Sequence, residues 1–227
     1  MKRFVQPEIL DTLPPDNPRA LRSRRDLHRV NSWMGNVGIM ACALENNLNG
    51  RAPRQITELG AGDGIFLLLV AQKLSLRWQN INVTLLDLQK NVPAETLAAF
   101  SKLGWRAEAL VADVFDWPQT SGEVVVVNLF LHHFEDTRLA ELLGIISKRA
   151  KLFVAIEPRR TPLPLFFSRL LRAIGCNDVT QHDAAVSIRA GFLDKELSVL
   201  WPDKQNWRLT ERHAGLFSHL FIAQKIS

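Results

Sequence analysis

Short unbroken apolar runs alternate along this chain with longer stretches in which apolar residues recur every three or four positions. Gln55–Leu59, Asn82–Asp87, Ala107–Val111, Glu123–Phe130 and Leu152–Glu157 are of the first kind and read as strands. The fourth contains Val124-Val125-Val126-Val127, the β-branched composition of a central strand buried on both faces. Helices are expected over Ile65–Leu74, Pro93–Leu103 and Asp136–Arg149, with Pro93 in a first turn, where its missing N–H costs nothing. Strands and helices alternating in this way predict a parallel sheet covered on both sides. The end differs: Trp207–His213 and Leu216–Gln224, joined by Ala214-Gly215, read as an antiparallel hairpin. The fold class is therefore α/β, a seven-stranded, mostly parallel sheet with helices on both faces and a C-terminal antiparallel hairpin.

Ahead of the first strand the pattern is different again. Met1–Pro18 holds Pro7, Pro14, Pro15 and Pro18 and reads as an extended arm. Arg19–Leu48 is helical, with Leu27, Val30, Met34, Val37, Met40 and Leu44 on one stripe and a break expected near Gly35 and Gly38. Residues 1–50 thus form an N-terminal arm with helices, and residues 51–227 the main domain.

Composition narrows the setting. A chain of 227 residues, 47% hydrophobic and 22% charged, has the length and make-up of one globular domain. Cys42 and Cys176 lie far apart in no metal-ligand spacing, so neither a disulfide framework nor a metal site is expected. The N-terminus leads into no apolar signal region and no window is long enough to span a bilayer, so a cytoplasmic enzyme, monomer or homodimer, is expected. The net charge of +5 is clustered, at Arg19–Arg29 and at Lys148–Arg160. Such clusters can bind nucleic acid or anionic lipid, but they are more often solvated helix faces, and nucleic acid is not the expected partner.

The candidate chemistry starts at Ile56-Thr57-Glu58-Leu59-Gly60-Ala61-Gly62-Asp63-Gly64, where a strand ends in a glycine turn that opens directly into a helix. Glycine permits positive φ and close approach of backbone to a ligand, and the helix start presents unpaired N–H groups. Polar residues close the other strands: Asp87, Asp113, Asn128 and Glu157. In an open parallel sheet these face one crevice beyond the carboxyl ends of the strands. Asp87, some twenty residues past the turn, is where a carboxylate accepts from both ribose hydroxyls.

The Glu58–Gly64 wording resembles the acid-x-Gly-x-Gly-x-Gly signature of class I S-adenosylmethionine-dependent methyltransferases, Rossmann-like enzymes that also end in a hairpin. The resemblance implies S-adenosylmethionine as cofactor and S-adenosylhomocysteine as product. It implies that Glu58, Gly60, Ala61, Gly62 and Asp63 hold the methionine end, with Asn128 facing it. Asp113 and the Val114 N–H would then take the adenine edge, and Leu88 its face. Arg25 and Asn31, in Arg25–Gly35, match a helix that in small-molecule members closes over the cofactor and touches its carboxylate; amphipathic surface positions explain them nearly as well.

For the acceptor, Asn128-Leu129-Phe130-Leu131 lacks the Pro-Pro of enzymes that methylate base amino groups, and no cysteine stands near it. Leu131-His132-His133-Phe134-Glu135-Asp136 resembles instead a motif of enzymes acting on quinones, phenols and polyketides. His132 or His133 would be the general base, or a cap of the next helix. In the family, the segment after the fifth strand, here 158–193, forms an acceptor lid. Phe166, Phe167 and Leu170 would wall an aromatic pocket, with Glu157, Arg159 and His182 as polar contacts; a core helix or dimer face accounts for the apolar part as well. The function implied is methylation of a small aromatic or polyketide-like secondary metabolite, at oxygen in the first reading. Carbon or nitrogen methylation, an RNA or protein methyltransferase, and an inactive cofactor-binding partner subunit are the alternatives.

Overall fold

The computed structural model describes residues 1–14, 16–117 and 123–226, so Pro15 of the expected arm lies outside it. Its strands are β1 Gln55–Leu59, β2 Asn82–Asp87, β3 Arg106–Val111, β4 Val124–Asn128, β5 Leu152–Pro158, β6 Trp207–Ala214 and β7 Ser218–Lys225. The helices are α1 Ile9–Thr12, α2 Pro18–Met34, α3 Asn36–Asn47, α4 Ile65–Leu74, α5 Ala94–Lys102, α6 Asp136–Arg149, α7 Pro162–Ser168, α8 Asp178–Ala190 and α9 Glu196–Leu200. They form one sheet of order β3-β2-β1-β4-β5-β7-β6, parallel as far as β5, with β7 antiparallel to both its neighbours. The strand order reverses between β1 and β4, and crevices in such sheets open at that point.

The valine run of β4 shows how the sheet is covered. Val124 and Val126 pack with Met40 and Leu44 of α3, Leu67 and Val70 of α4 and Phe100 of α5. Val125 and Val127 face the other way, against Leu139, Leu142 and Ile146 of α6 and Leu197 of α9. Alternate side chains of one strand thus enter two separate cores, which is why no polar residue interrupts it. β3 and β6 are the edges, and no residue of β3 is fully buried.

The N-terminal helices break at Gly35, whose φ of 72° is the left-handed conformation that ends α2 and starts α3. Gly38 continues inside α3 without a break. The arm holds one helical turn, α1, where extended chain is expected. The carboxylate of Asp183 on α8 accepts from Ile9 N and Leu10 N, at 2.9 Å each, and so caps it. Arg3 anchors the arm further, donating to the carbonyls of Ala190 and Phe134 and pairing with Asp136. The apolar stretch Leu163–Ile174 is built as α7 followed by a 3-10 segment at Arg169–Arg172. α8 packs against α1 and α2 as well as β5, so the arm is held by a helix that the periodic pattern of the sheet does not place.

Candidate functional site

At the switch point lies a cavity of about 660 Å³, the size of a pocket that encloses a cofactor-sized ligand. The turn after β1 forms its floor. Gly60, Gly62 and Gly64 all have positive φ, of 67°, 58° and 75°. A Cβ on Gly60 would lie 2.2 Å from the Phe130 ring, whereas one on Gly62 would meet no atom within 4 Å. The turn is therefore packed hard against the β4 side at Gly60 and left open at Gly62. Asp63 Oδ1 accepts from Ile65 N at 3.2 Å, and its other oxygen meets His28 Nε2 at 2.8 Å, tying α2 to the turn. That bond to Asp63 raises the His28 pKa against burial. Burial works to raise Asp63 as well, but the bond and charge of His28 leave it below its ordinary value.

The strand-end residues converge on this cavity. Asp87 Oδ2 accepts from Gly62 N at 2.8 Å and Oδ1 from Gln89 N at 2.9 Å, one backbone bond per oxygen, which leaves each a further lone pair. Asp113 Oδ1 accepts from Phe115 N at 2.9 Å, and the Leu88 side chain stands exposed beside it on the cavity wall. Asn128 Oδ1 accepts from the fully buried Asn36 Nδ2 at 2.8 Å. All the residues expected at the cofactor line the cavity, with one correction. Arg25 is exposed and turned outward, its Nε reaching only Leu21 O. The helical face that does reach the cavity carries Arg24, Leu27, His28 and Asn31, at the spacing of one side of a helix.

Two polar atoms here bear on what the cavity takes. Glu58 Oε2 and Asn31 Oδ1 are buried and, among the described residues, without a hydrogen-bond partner. Burial, with the neighbouring charges of Asp63 and Asp87, pushes the Glu58 carboxyl well above the ordinary range. A buried acceptor without a partner is costly, and a ligand carrying an ammonium group removes that cost. The ammonium and sulfonium of S-adenosylmethionine fit this acceptor-rich floor.

Across the cavity, Leu129 follows Asn128 with φ 56°, a strained conformation for a residue with a side chain. It turns the chain so that Phe130 N, Leu131 N and His132 N all donate to the Glu157 carboxylate, at 3.0, 2.8 and 3.3 Å. Glu157 also meets His132 Nδ1 at 2.8 Å. The other ring nitrogen, Nε2, lies 3.3 Å from Glu8 Oε1, and Ser187 Oγ also donates to Glu8. Burial alone would lower the His132 pKa, but the bonds and charges of Glu157 and then Glu8 outweigh it and push it up to about 9. Burial likewise works to raise Glu8, yet His132 brings it down to about 2. His132 is thus a buried imidazolium between two carboxylates. Its neighbour His133 is more open and pairs with Asp11 at 3.2 Å. A nitrogen from each histidine and a Glu8 oxygen lie within 4.8 Å of one another, a grouping able to hold a divalent ion where none is expected from the cysteines.

The expected acceptor contacts need more correction. Glu157 is fully buried behind His132 rather than facing the cavity. Arg159, Phe166, Phe167 and His182 do not line the cavity. Arg159 donates its backbone N–H to Phe217 O on the hairpin turn, and the half-exposed His182 pairs with the buried Asp183. Phe166 and Phe167 face outward, and of the 158–193 segment only Pro158 and Ser187 reach the cavity. Its aromatic wall comes from elsewhere. Phe130 and Phe134 meet edge-on at 5.2 Å, Phe134 and Phe115 at 5.6 Å, and the Arg138 guanidinium covers Phe115 at 3.6 Å. Glu8 was invisible in sequence because the arm has no period to place it. Arg24 and His28 were in reach, standing four apart on the face that carries Asn31.

A sheet ordered this way, with a glycine turn after its first strand and an acid ending the second, defines the class I S-adenosylmethionine-dependent methyltransferases. Residues 56–151, from within β1 to the threshold of β5, match the family model of a methyltransferase domain. Residues 56–151 carry a methyltransferase domain, and the chain is an S-adenosylmethionine-dependent enzyme. It superimposes on a plantazolicin methyltransferase solved with S-adenosylhomocysteine at TM-score 0.66, with 12% identity over 93% of this chain and 92% of that one. An O-methyltransferase family protein from Burkholderia thailandensis is similar at TM-score 0.65 and 20% identity, over 94% of this chain and 62% of its own. For the mitomycin 7-O-methyltransferase the values are 0.62 and 18%, over 95% and 60%. This chain therefore spans less than two thirds of those two proteins, and at such identities the likeness is one of fold. Curated protein sequences give no significant match.

Proposed function

We propose that the enzyme methylates the hydroxyl of a small aromatic or polyketide-like molecule. The observation that carries this reading is the buried Glu157–His132 pair opening onto a cavity walled by Phe115, Phe130 and Phe134. Fold relatives that include a mitomycin 7-O-methyltransferase and, separately, the pyocyanin biosynthetic protein PhzM support a small acceptor.

When bound, S-adenosylmethionine supplies a methyl group on a sulfonium, already activated for in-line displacement. The chain's tasks are to hold that group, align the acceptor, exclude water and take a proton. Asp87 would accept from the ribose hydroxyls, Asp113 and the Val114 N–H would take the adenine edge, and Leu88 its face. Glu58 and Asn31 would accept from the ammonium, while Gly60, Ala61 and Gly62 allow the backbone to come close. Asp63 holds the turn to α2 through His28, and Asn128 is fixed by Asn36 beneath the methionine end.

His132 is the proposed base. With Glu8 on Nε2 it is protonated at neutral pH, so the arm must give way first. Glu8 withdraws as a carboxylate, the proton on Nε2 then passes to solvent, and an acceptor hydroxyl takes its place at Nε2. Glu157 keeps Nδ1 protonated and so fixes the tautomer with Nε2 as acceptor. As the acceptor oxygen forms its bond to the methyl carbon, its proton passes to Nε2. A phenol of pKa near 10 gains from such a base. His133, paired with Asp11, stands where it can orient the acceptor. The N-terminal arm and α2 would act as the closing elements over this cavity. The test is incubation with methyl-labelled S-adenosylmethionine and a host metabolite extract, followed by mass analysis. Label in an acid-stable ether on an aromatic product supports the reading; label only in RNA or protein, or none in any fraction, overturns it.

A further inference from the structure

We infer that this protein docks on the surface of an anionic lipid bilayer through α7, the 3-10 segment after it and the hairpin turn. Leu163, Phe166, Phe167, Leu170, Ile174 and Leu216 are all exposed, Phe166 and Leu216 by 56% and 59%. They form one face. Phe166 and Phe167 meet edge-on at 5.8 Å, and Phe167 meets Phe217 of the hairpin turn at 5.4 Å. None of them lines the methyltransferase cavity. A contiguous apolar face of this kind on a chain of ordinary composition marks an interaction site.

Its border says what covers it. Arg169 and Arg172 are exposed on the same segment as the apolar side chains. Arg22 of α2 reaches across to Gly175 O at 3.1 Å, which brings the arginine-rich α2 alongside the end of that segment. Leucine and phenylalanine flanked by arginine is the make-up of an interfacial helix, whose apolar face enters the acyl boundary while the cations meet lipid phosphates. Arginine suits this because its stem can lie along apolar surface while its guanidinium bonds phosphate. A second copy of the same face fits poorly. A two-fold pairing would set the arginine-bordered patch against itself, like charge to like charge.

The face is also placed to matter. Ser218, next to Phe217, pairs with Pro158 at the carboxyl end of β5, the end of the sheet at which the cavity opens. Docking here brings the cavity side of the molecule towards the bilayer. The inference does not rest on the acceptor reading, because binding is read without turnover.

Flotation of the full chain with phosphatidylcholine vesicles, with and without phosphatidylglycerol, tests it. The protein is expected to float with the anionic vesicles only, and high salt is expected to weaken the association. The exposed double variant Phe166→Ser/Phe167→Ser, and separately Arg169→Glu/Arg172→Glu, should each reduce binding at least tenfold. Both should keep the wild-type melting shift with S-adenosylhomocysteine, which shows that they remain folded. No flotation with anionic vesicles, or flotation that both variants retain, overturns the inference. So does a wild-type dimer in solution that Phe166→Ser/Phe167→Ser converts to monomer.

Discussion

Glu8→Gln is the substitution whose effect the site geometry fixes most closely. His132 is pushed from its ordinary 6.5 up to about 9 by the carboxylates on its two nitrogens. At about 1.4 kcal/mol per pH unit that difference is worth about 3 kcal/mol of preference for the imidazolium, net of burial. Glu157 lies at 2.8 Å and Glu8 at 3.3 Å, so Glu8 supplies the smaller part. Glutamine keeps the shape and the Ser187 contact but removes the charge. The His132 midpoint should then fall below its wild-type value of about 9 while staying above 6.5, because Glu157 remains. Ring-labelled histidine and an NMR titration read this directly, since the chain has only 6 histidines and His132→Gln assigns the signal. The sign for stability follows. A histidine whose pKa is raised on folding stabilises fully below its unfolded value and loses that contribution as pH rises through the folded one. The wild type should therefore lose melting temperature between about pH 7 and 9, and in Glu8→Gln the loss should start at the same pH but be smaller and finish earlier. A wild-type midpoint near 6.5, or one that Glu8→Gln leaves unmoved, would refute the shared proton and with it the proposed displacement of Glu8 by the acceptor.

Other outcomes follow from single contacts. Folding raises the Glu58 pKa, so its ionisation opposes folding above the unfolded value of 4.5. Glu58→Gln should leave the unliganded protein as stable or more so at pH 7 in thermal melts, yet weaken S-adenosylhomocysteine binding in calorimetry; a destabilised variant with unchanged binding would contradict this. Gly62→Ala, at φ 58° with open space around its Cβ, should cost only the left-handed penalty of about 1 kcal/mol. Gly60→Ala should cost clearly more in chemical denaturation, because it also displaces Phe130. Asp183→Ala removes both acceptors that cap α1, and protease cleavage of the arm before Leu13 should accelerate at least tenfold; unchanged cleavage would mean the arm is held without Asp183.

What the sequence revealed depended on whether a residue sat in a repeating pattern. β1, β2, α4 and α6 have the bounds that their apolar periods indicate, because each buries a regular face against the sheet. Gly60, Gly62 and Asp87 stand together in the cavity because strand ends and a glycine turn leave the chain few other places to go. The acceptor side was read less well. Phe166 and Phe167 looked like a pocket wall because hydrophobic segments usually face inward, whereas the wall is built by Phe115, Phe130 and Phe134, spread over two loops. Glu8 reaches His132 across 124 residues of sequence, carried by an arm that α8 caps, and no local pattern records such a contact.

The account turns on whether the switch-point cavity receives the cofactor. Calorimetric titration of S-adenosylhomocysteine into the wild type and into Asp87→Ala measures this most directly. Saturable binding at one site per chain is predicted, weakened in Asp87→Ala by about 1.5–3 kcal/mol, the worth of a hydrogen bond to a charged group. No heat and no melting shift with the wild type would contradict it, as would equal affinity in the two proteins.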